Sequence, residues 1–212
     1  MSEKKIKVTV YSDYICPFCY IGFHRIEKLK EKYNLDIEWR PFELHPEIPK
    51  AGVMIDKLSF PKQYLEMAMA NVKRLANEDG ITLKYSNKLP NSRLALFFSE
   101  YARLHEKFDQ FHKLVFDKYW KDGEDIGDLN LLLELAESIG LNKDELQKYI
   151  KSEHPLNELE NSSYELGRYG INGVPTFIIG GRFVIGAQPY EVFETVINQV
   201  LEEEALKSES TD

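Results

Sequence analysis

Only two of the 212 residues are cysteine. Two cysteines cannot staple a chain of this size, so an apolar core must hold it. Long apolar runs are missing too. None approaches the length of a transmembrane helix, and no membrane partner is expected. Positive charge is the minority sign, with 27 Lys and Arg against 35 Asp and Glu, a net charge of -8 and a pI near 5.3. No basic field exists to gather phosphates, which argues against nucleic acid; the acidity serves solubility. Met1-Ser2-Glu3-Lys4-Lys5 leads straight into Ile6-Lys7-Val8-Thr9-Val10-Tyr11, with neither the apolar stretch nor the small-residue cleavage site of an export signal. The expected setting is therefore a reducing cytoplasm.

What is present is 43% hydrophobic residues, including 12 Phe and 12 Tyr. That suffices for one large domain or a smaller one carrying an insertion. Residues 6–11 alternate apolar and polar as a strand does. Ser12 to Ile15 is a short turn, and a helix is expected from about Cys16 to Tyr33, with Pro17 in its first turn. Leu35 to Phe42 reads as a second strand, closed by Pro41 and the Pro46/Pro49 loop. Strand, helix, strand predicts a right-handed unit with parallel strands.

From about Pro61 to Lys151 there is almost no strand signal. Pro61 opens a helix toward Asn77, and Pro90-Asn91-Ser92 opens another with Leu94, Phe97, Tyr101 and Leu104 on one face. Phe108, Phe111, Val115 and Tyr119 continue the spacing, either in the same helix or beyond a bend near His105-Glu106. Asp128 is placed to cap a helix from Leu131 to Ser138 that stops at Gly140. Asn142 and Glu145 form a variant capping box for the next. Met67 and Met69 read as ordinary core, with a substrate groove as the alternative. After Pro155 a helix over Asn157–Tyr169 ends at Gly170. Phe177-Ile178-Ile179 and Arg182–Ile185 form a hairpin about Gly180-Gly181. Pro189 opens a last helix through Leu201, and Ser208–Asp212 reads as a disordered tail. The expected fold class is α/β. Residues 1–60 and 153–212 share one sheet, and 61–152 form an all-helical insertion.

The pattern that carries chemistry is Cys16-Pro17-Phe18-Cys19. The thiolate is the nucleophile of disulfide exchange. Cys16 sits where a strand feeds a helix, so first-turn N–H groups and the positive end of the dipole stabilise its anion. Cys19 lies on the same side of that turn, within reach of a disulfide but deeper, as a resolving thiol. Three other readings compete. Buried inert cysteines fit poorly with a helix start and an intervening proline. A structural disulfide closing so short a loop removes little entropy and would be reduced in the cytosol. Zinc needs two more ligands, and His24, His45, His105, His112 and His154 have no paired spacing, so no metal is expected. A second element is Val174-Pro175 at the start of a strand. A cis bond there would present the Val174 backbone to an extended substrate, although a trans proline is the commoner case.

These residues resemble the thioredoxin superfamily, and within it the DsbA-like branch, in which a helical domain interrupts the thioredoxin fold. Tyr11-Ser12-Asp13-Tyr14-Ile15-Cys16-Pro17-Phe18-Cys19-Tyr20-Ile21-Gly22 is similar to the opening of FrnE-type proteins. Asn91-Ser92-Arg93-Leu94-Ala95 resembles their Asn-Ser/Thr segment, and Gly173-Val174-Pro175-Thr176-Phe177 their cis-proline loop. The resemblance implies a dithiol–disulfide oxidoreductase with Cys16 as nucleophile, Cys19 as resolving cysteine and a cis Pro175 beside them. It also implies that Val174 contacts the substrate backbone, with Pro17, Phe18, Asn91 and Ser92 near the site mouth; Ser92 could instead only cap its helix.

The implied partners are a disulfide-bearing protein or a small thiol, with an external reductant or oxidant. No cofactor beyond the cysteine pair is implied, although glutathione could serve as co-substrate. The chain would be a monomer or a homodimer. Where exported DsbA enzymes carry His between the cysteines, this chain carries Phe18, which implies a less oxidising couple than DsbA's, about -120 mV. The alternative enzyme class is a glutathione-dependent isomerase or transferase, like kappa-class transferases and 2-hydroxychromene-2-carboxylate isomerases, where Ser typically holds the first motif position. A non-enzymatic alternative is a binding protein or chaperone using the helical groove.

Overall fold

The computed structural model describes residues 5–58 and 61–209, the side chains of 208 and 209 excepted. The first strand, β1 (Ile6–Ser12), buries Ile6, Val8 and Val10 and turns Lys7 and Thr9 to the other face, as its alternation requires. Helix α1 (Pro17–Lys30) returns the chain to β2 (Leu35–Pro41), which pairs parallel to β1 with Val8 opposite Ile37 and Val10 opposite Trp39. The other strands of the sheet come from the far end of the chain. β5 (Thr176–Ile179) runs antiparallel to β1, and β6 (Arg182–Ile185) antiparallel to β5, giving the order β2-β1-β5-β6.

Helix α1 and the last helix, α8 (Tyr190–Glu209), cover one face of this sheet. Phe177 meets Phe193 edge-on there, beside Ile179, Ile197 and Val200. Two glycines permit the close packing. A Cβ on Gly22 of α1 would lie 2.8 Å from the Phe177 ring, and one on Gly180, at φ +53°, would lie 2.6 Å from Val200. Helix α7 (His154–Arg168) covers the opposite face, where Tyr11 donates to Glu165 at 3.3 Å.

Between β2 and α7 lie α2 (Lys62–Glu78), α3 (Arg93–Leu104), α4 (Phe108–Asp117), a π-turn (Lys118–Asp122), α5 (Leu129–Ser138) and α6 (Lys143–Tyr149). The caps work as read: Asp128 accepts from Asn130 N–H, and Asn142 from the N–H groups of Asp144 and Glu145. Glu145 does not reach back to complete a box; it accepts from the Tyr101 hydroxyl instead.

Five expectations are corrected. Val53–Met54 (β3) pairs with Lys88–Leu89 (β4), a ladder too short to leave a periodic signal in a stretch read as helical. The chain breaks between α3 and α4 at Glu106, whose φ is 58°, so Leu104 falls at a helix end and is exposed rather than on the buried face. Met67 and Met69 are not core, being 67% and 39% exposed on the first half of α2, which only packs inward from Val72 onward. Helix α7 starts at His154, three residues before the expected Asn157, because Pro155 sits in its first turn. Helix α8 runs past Leu201 to Glu209, through strong helix formers that pack on little, so 208–209 extend the helix rather than open a tail. Residues 210–212 of that expected tail lie outside the described residues.

Candidate active site

Cys16 is the N-cap of α1, at φ -85° and ψ 116°, with Pro17 following in the first turn. Its carbonyl accepts the first bonds of the helix, from Cys19 and Tyr20 N–H at 3.1 and 3.2 Å. Its own N–H donates to Asp13 O at 3.2 Å, which closes the turn from β1. Both cysteines are buried and unlinked. The Cys16 thiol donates to the Val174 carbonyl at 3.6 Å, and the Val174–Pro175 peptide bond is cis. Gly22 brings α1 against this loop, the position of its absent Cβ lying 3.5 Å from the Pro175 ring.

Cys19 points inward. Burial pushes its thiol well above the ordinary range, and the neighbouring Cys16 sulfur adds to the effect. Two groups oppose the rise, the Asp13 backbone N–H and the Ser12 hydroxyl. Ser12 Oγ is buried and makes no hydrogen bond among the described residues.

Asp13, read from sequence only as part of a turn, organises the surroundings. It is fully buried, and its carboxylate accepts from Leu44 N–H at 2.7 Å and Ile15 N–H at 3.3 Å. Burial raises its pKa to about 6 against these bonds. The Ser92 hydroxyl favours the carboxylate form and makes no capping bond to its own helix. Ser92 is thus brought to the turn beneath the cysteines. Asn91 is engaged differently. Its amide donates to Ile48 O at 2.7 Å and accepts from Arg93 N–H at 3.1 Å, tying the Pro46–Pro49 loop to the start of α3. Pro17, Phe18 and Val174 are half-buried around the cysteines, Phe18 wedged toward Ile21, Val72 and Leu75.

The helix start therefore carries Cys-Pro-Phe-Cys directly after a strand and against a Val-Pro loop. The chain belongs to the DSBA-like thioredoxin family. That family's model matches residues 7–198. Over 200 residues the chain is 30% identical to YwbO of Bacillus subtilis, covering 91% of this chain and 96% of that protein. It is 23% identical over 196 residues to a 2-hydroxychromene-2-carboxylate isomerase of Sphingobium xenophagum, covering 90% and 97%. Among solved structures it resembles a probable DsbA oxidoreductase from Streptomyces coelicolor, with a TM-score of 0.80, 24% identity, and coverage of 93% and 91%. The DSBA-like fold accounts for the helical segment between β2 and α7.

The residues that sequence reasoning missed here are Ser12, Asp13 and Tyr14. Asp13 had a local signal, since Asp followed two residues later by a free N–H is the pattern of an Asx-turn. Tyr14 had none. Its hydroxyl meets Ser99 of α3 and His112 of α4, at 2.5 and 2.8 Å, and its carbonyl accepts from the Trp120 indole at 2.8 Å. Among the described residues no group of three or more His, Cys, Asp or Glu is arranged to hold a metal.

Proposed function

We propose that this DSBA-like chain is a dithiol–disulfide oxidoreductase acting on protein or small-molecule disulfides. The observation that carries the reading is the pairing of Cys16, at the cap of α1 and against the Val174 carbonyl, with a buried Cys19 one turn on. The Cys16 thiolate attacks a substrate disulfide; one sulfur leaves as a thiolate and a mixed disulfide forms. Cys19 then attacks Cys16, the mixed disulfide breaks, and the pair is left oxidised while the substrate has gained two electrons. An external thiol such as glutathione, the abundant reductant of a cytoplasm, resets the pair. Run in reverse, the oxidised pair delivers its disulfide to a substrate dithiol. Extended substrate would pair with the Val174 backbone and lie over Pro17 and Phe18, with Asn91 and Ser92 beneath. FrnE-type proteins are the branch this reading favours.

The isomerase-like relative supports a second reading, in which the first motif position activates bound glutathione. One variant separates them. Cys19→Ala traps covalent mixed disulfides with substrate in disulfide exchange, seen as adducts on non-reducing gels and by intact mass. Glutathione-dependent isomerisation would instead leave Cys19→Ala with full turnover and no adducts, and that result would sink the redox assignment.

A further inference from the structure

The four-stranded sheet ends differently at its two edges. At one, β2 pairs only with β1 and is guarded. Asp36, Glu38 and Arg40 put charge along it, Pro41 closes it, and Arg103 of α3 donates to the Trp39 carbonyl at 2.5 Å. Charge, proline and covering groups are how proteins keep an edge strand from pairing with another chain. At the other edge, β6 has β5 as its sole strand neighbour among the described residues. Arg182-Phe183-Val184-Ile185 holds no proline and a single charge, Arg182, which is paired with Glu203 of α8.

The hairpin geometry fixes which backbone groups face out. Ile179 stands opposite Arg182 and Phe177 opposite Val184, and Gly186 N–H donates to Pro175 O at 2.8 Å. Successive residues of an antiparallel strand turn their N–H and C=O groups to alternate sides. Arg182, Val184 and Gly186 therefore bond toward β5, and Phe183 and Ile185 turn theirs to the open edge. The Ile185 carbonyl accepts from the Gln188 amide at 2.8 Å and keeps a second lone pair. The side chains follow the same alternation. Val184 is buried in the core, whereas Phe183 and Ile185 are 40% and 50% exposed on the α7 side. Phe183 meets Tyr169, itself 59% exposed, at 4.9 Å.

We propose that β6 is the contact of a symmetric homodimer, pairing antiparallel with β6 of a second copy about a two-fold axis at Val184. Outward groups must meet outward groups, which admits registers centred on Phe183, Val184 or Ile185. Within the strand, centring on Val184 forms two hydrogen-bonded pairs and the others only one. Phe183 then lies opposite Ile185 of the second copy, and Ile185 opposite its Phe183, so the four side chains make one apolar cluster beside the Tyr169 rings. Arg182 falls opposite a glycine, Gly186, and no like charges meet. Covering these side chains and the strand buries on the order of 1,000 Å² over the two copies, the low end for a specific interface. The dimer is accordingly weak and reversible, and it joins the two sheets into one.

Sedimentation velocity of the full chain, its cysteines kept reduced, tests this from about 1 µM to about 1 mM, the weak end of the affinity scale. Monomer should give way reversibly to dimer across that range. Hydrogen exchange read residue by residue reports the register. The Phe183 and Ile185 amides should slow about tenfold when about nine-tenths of the chains are dimeric, while Arg182 and Val184, already bonded to β5, do not change. Phe183→Lys and, independently, Ile185→Lys should each raise the dissociation constant at least about tenfold, because each substitution is felt at both symmetry-related pairs. Met67→Gln with Met69→Gln, on the other exposed apolar surface, should leave it unchanged. A chain monomeric throughout, a dimer that survives both lysine variants, or one dissolved by the methionine variant overturns the proposal. So does protection of Phe183 and Ile185 that appears only when an unfolded polypeptide is added, which would make the edge a peptide-docking strand.

Discussion

The two flanks of α1 are built differently. On one side lie the active-site loop, α3, α4 and the π-turn, packed as a continuous aromatic cluster. Tyr14 meets Phe116 edge-on at 4.9 Å, Phe23 meets Phe116 at 5.4 Å, and Trp39 meets His112 at 4.4 Å. Threaded through it are the Tyr14 bonds to Ser99 and His112. On the other side α2 touches α1 through Ile21, Val72 and Leu75. An ion pair between the buried Arg25 and the half-buried Asp79, at 2.7 Å, secures that end, and Arg25 also donates to the carbonyls of Ala187 and Gln188. The first half of α2 leaves Tyr64, Met67 and Met69 exposed. The lesson is that α3 and α4 set the geometry of the cysteines, while α2 is anchored at one end and presents an apolar surface at the other.

The comparison breaks first at Phe116. Phe116→Ala should cost about 3–5 kcal/mol, because the tightly interlocked rings cannot collapse into the space; a denaturant midpoint within error of wild type would show that the aromatic flank is not structural. Asp13, at the edge of the same flank, gives a pH-dependent test. Its folded pKa of about 6 exceeds the ordinary 3.8, so the folded chain holds that proton more tightly than the unfolded one. Its contribution to stability is then fully present below pH 3.8 and is lost as the pH rises through 6. Asp13→Asn should flatten unfolding free energy across that window by up to about 3 kcal/mol, measured by urea melts at stepped pH. A parent chain with no slope there would refute the buried carboxylate.

On the thinner flank, Phe18 separates the two cysteines. Phe18→His should raise the reduction potential by about 30 mV or more, a tenfold change in the exchange equilibrium, and the parent should fall below about -120 mV. Glutathione titration checks both, and a parent matching DsbA's value would overturn the role given to Phe18. The smallest effect is expected at the exposed end of α2. Met67→Gln with Met69→Gln should leave stability within about 0.5 kcal/mol; a larger loss by thermal melt would mean that half of α2 is packed after all.

The cysteine motif, its place at a helix start, the hairpin about Gly180-Gly181 and the helical middle were all legible, because each depends on neighbours in sequence. Capping by Asp128 and Asn142 was legible for the same reason. The two-residue β3–β4 ladder was not, since pairing across more than thirty residues leaves no local period. The exposure of Met67 and Met69 escaped as well: helical spacing marks an apolar face but not whether anything covers it. Ser92 and Asn91 stand side by side in sequence yet serve different partners, Asp13 and Ile48, a division no motif encodes.

The sequence by itself determined that two thiols meet at the first turn of a helix fed by a strand, since a three-residue spacing and a proline fix that by backbone geometry alone. Only the tertiary structure decided what surrounds the inner sulfur. Asp13 is sealed by Leu44 N–H, and Tyr14 is held by Ser99 of α3 and His112 of α4, 85 and 98 positions away, because the aromatic packing of α3 and α4 against α1 and the sheet brings them there.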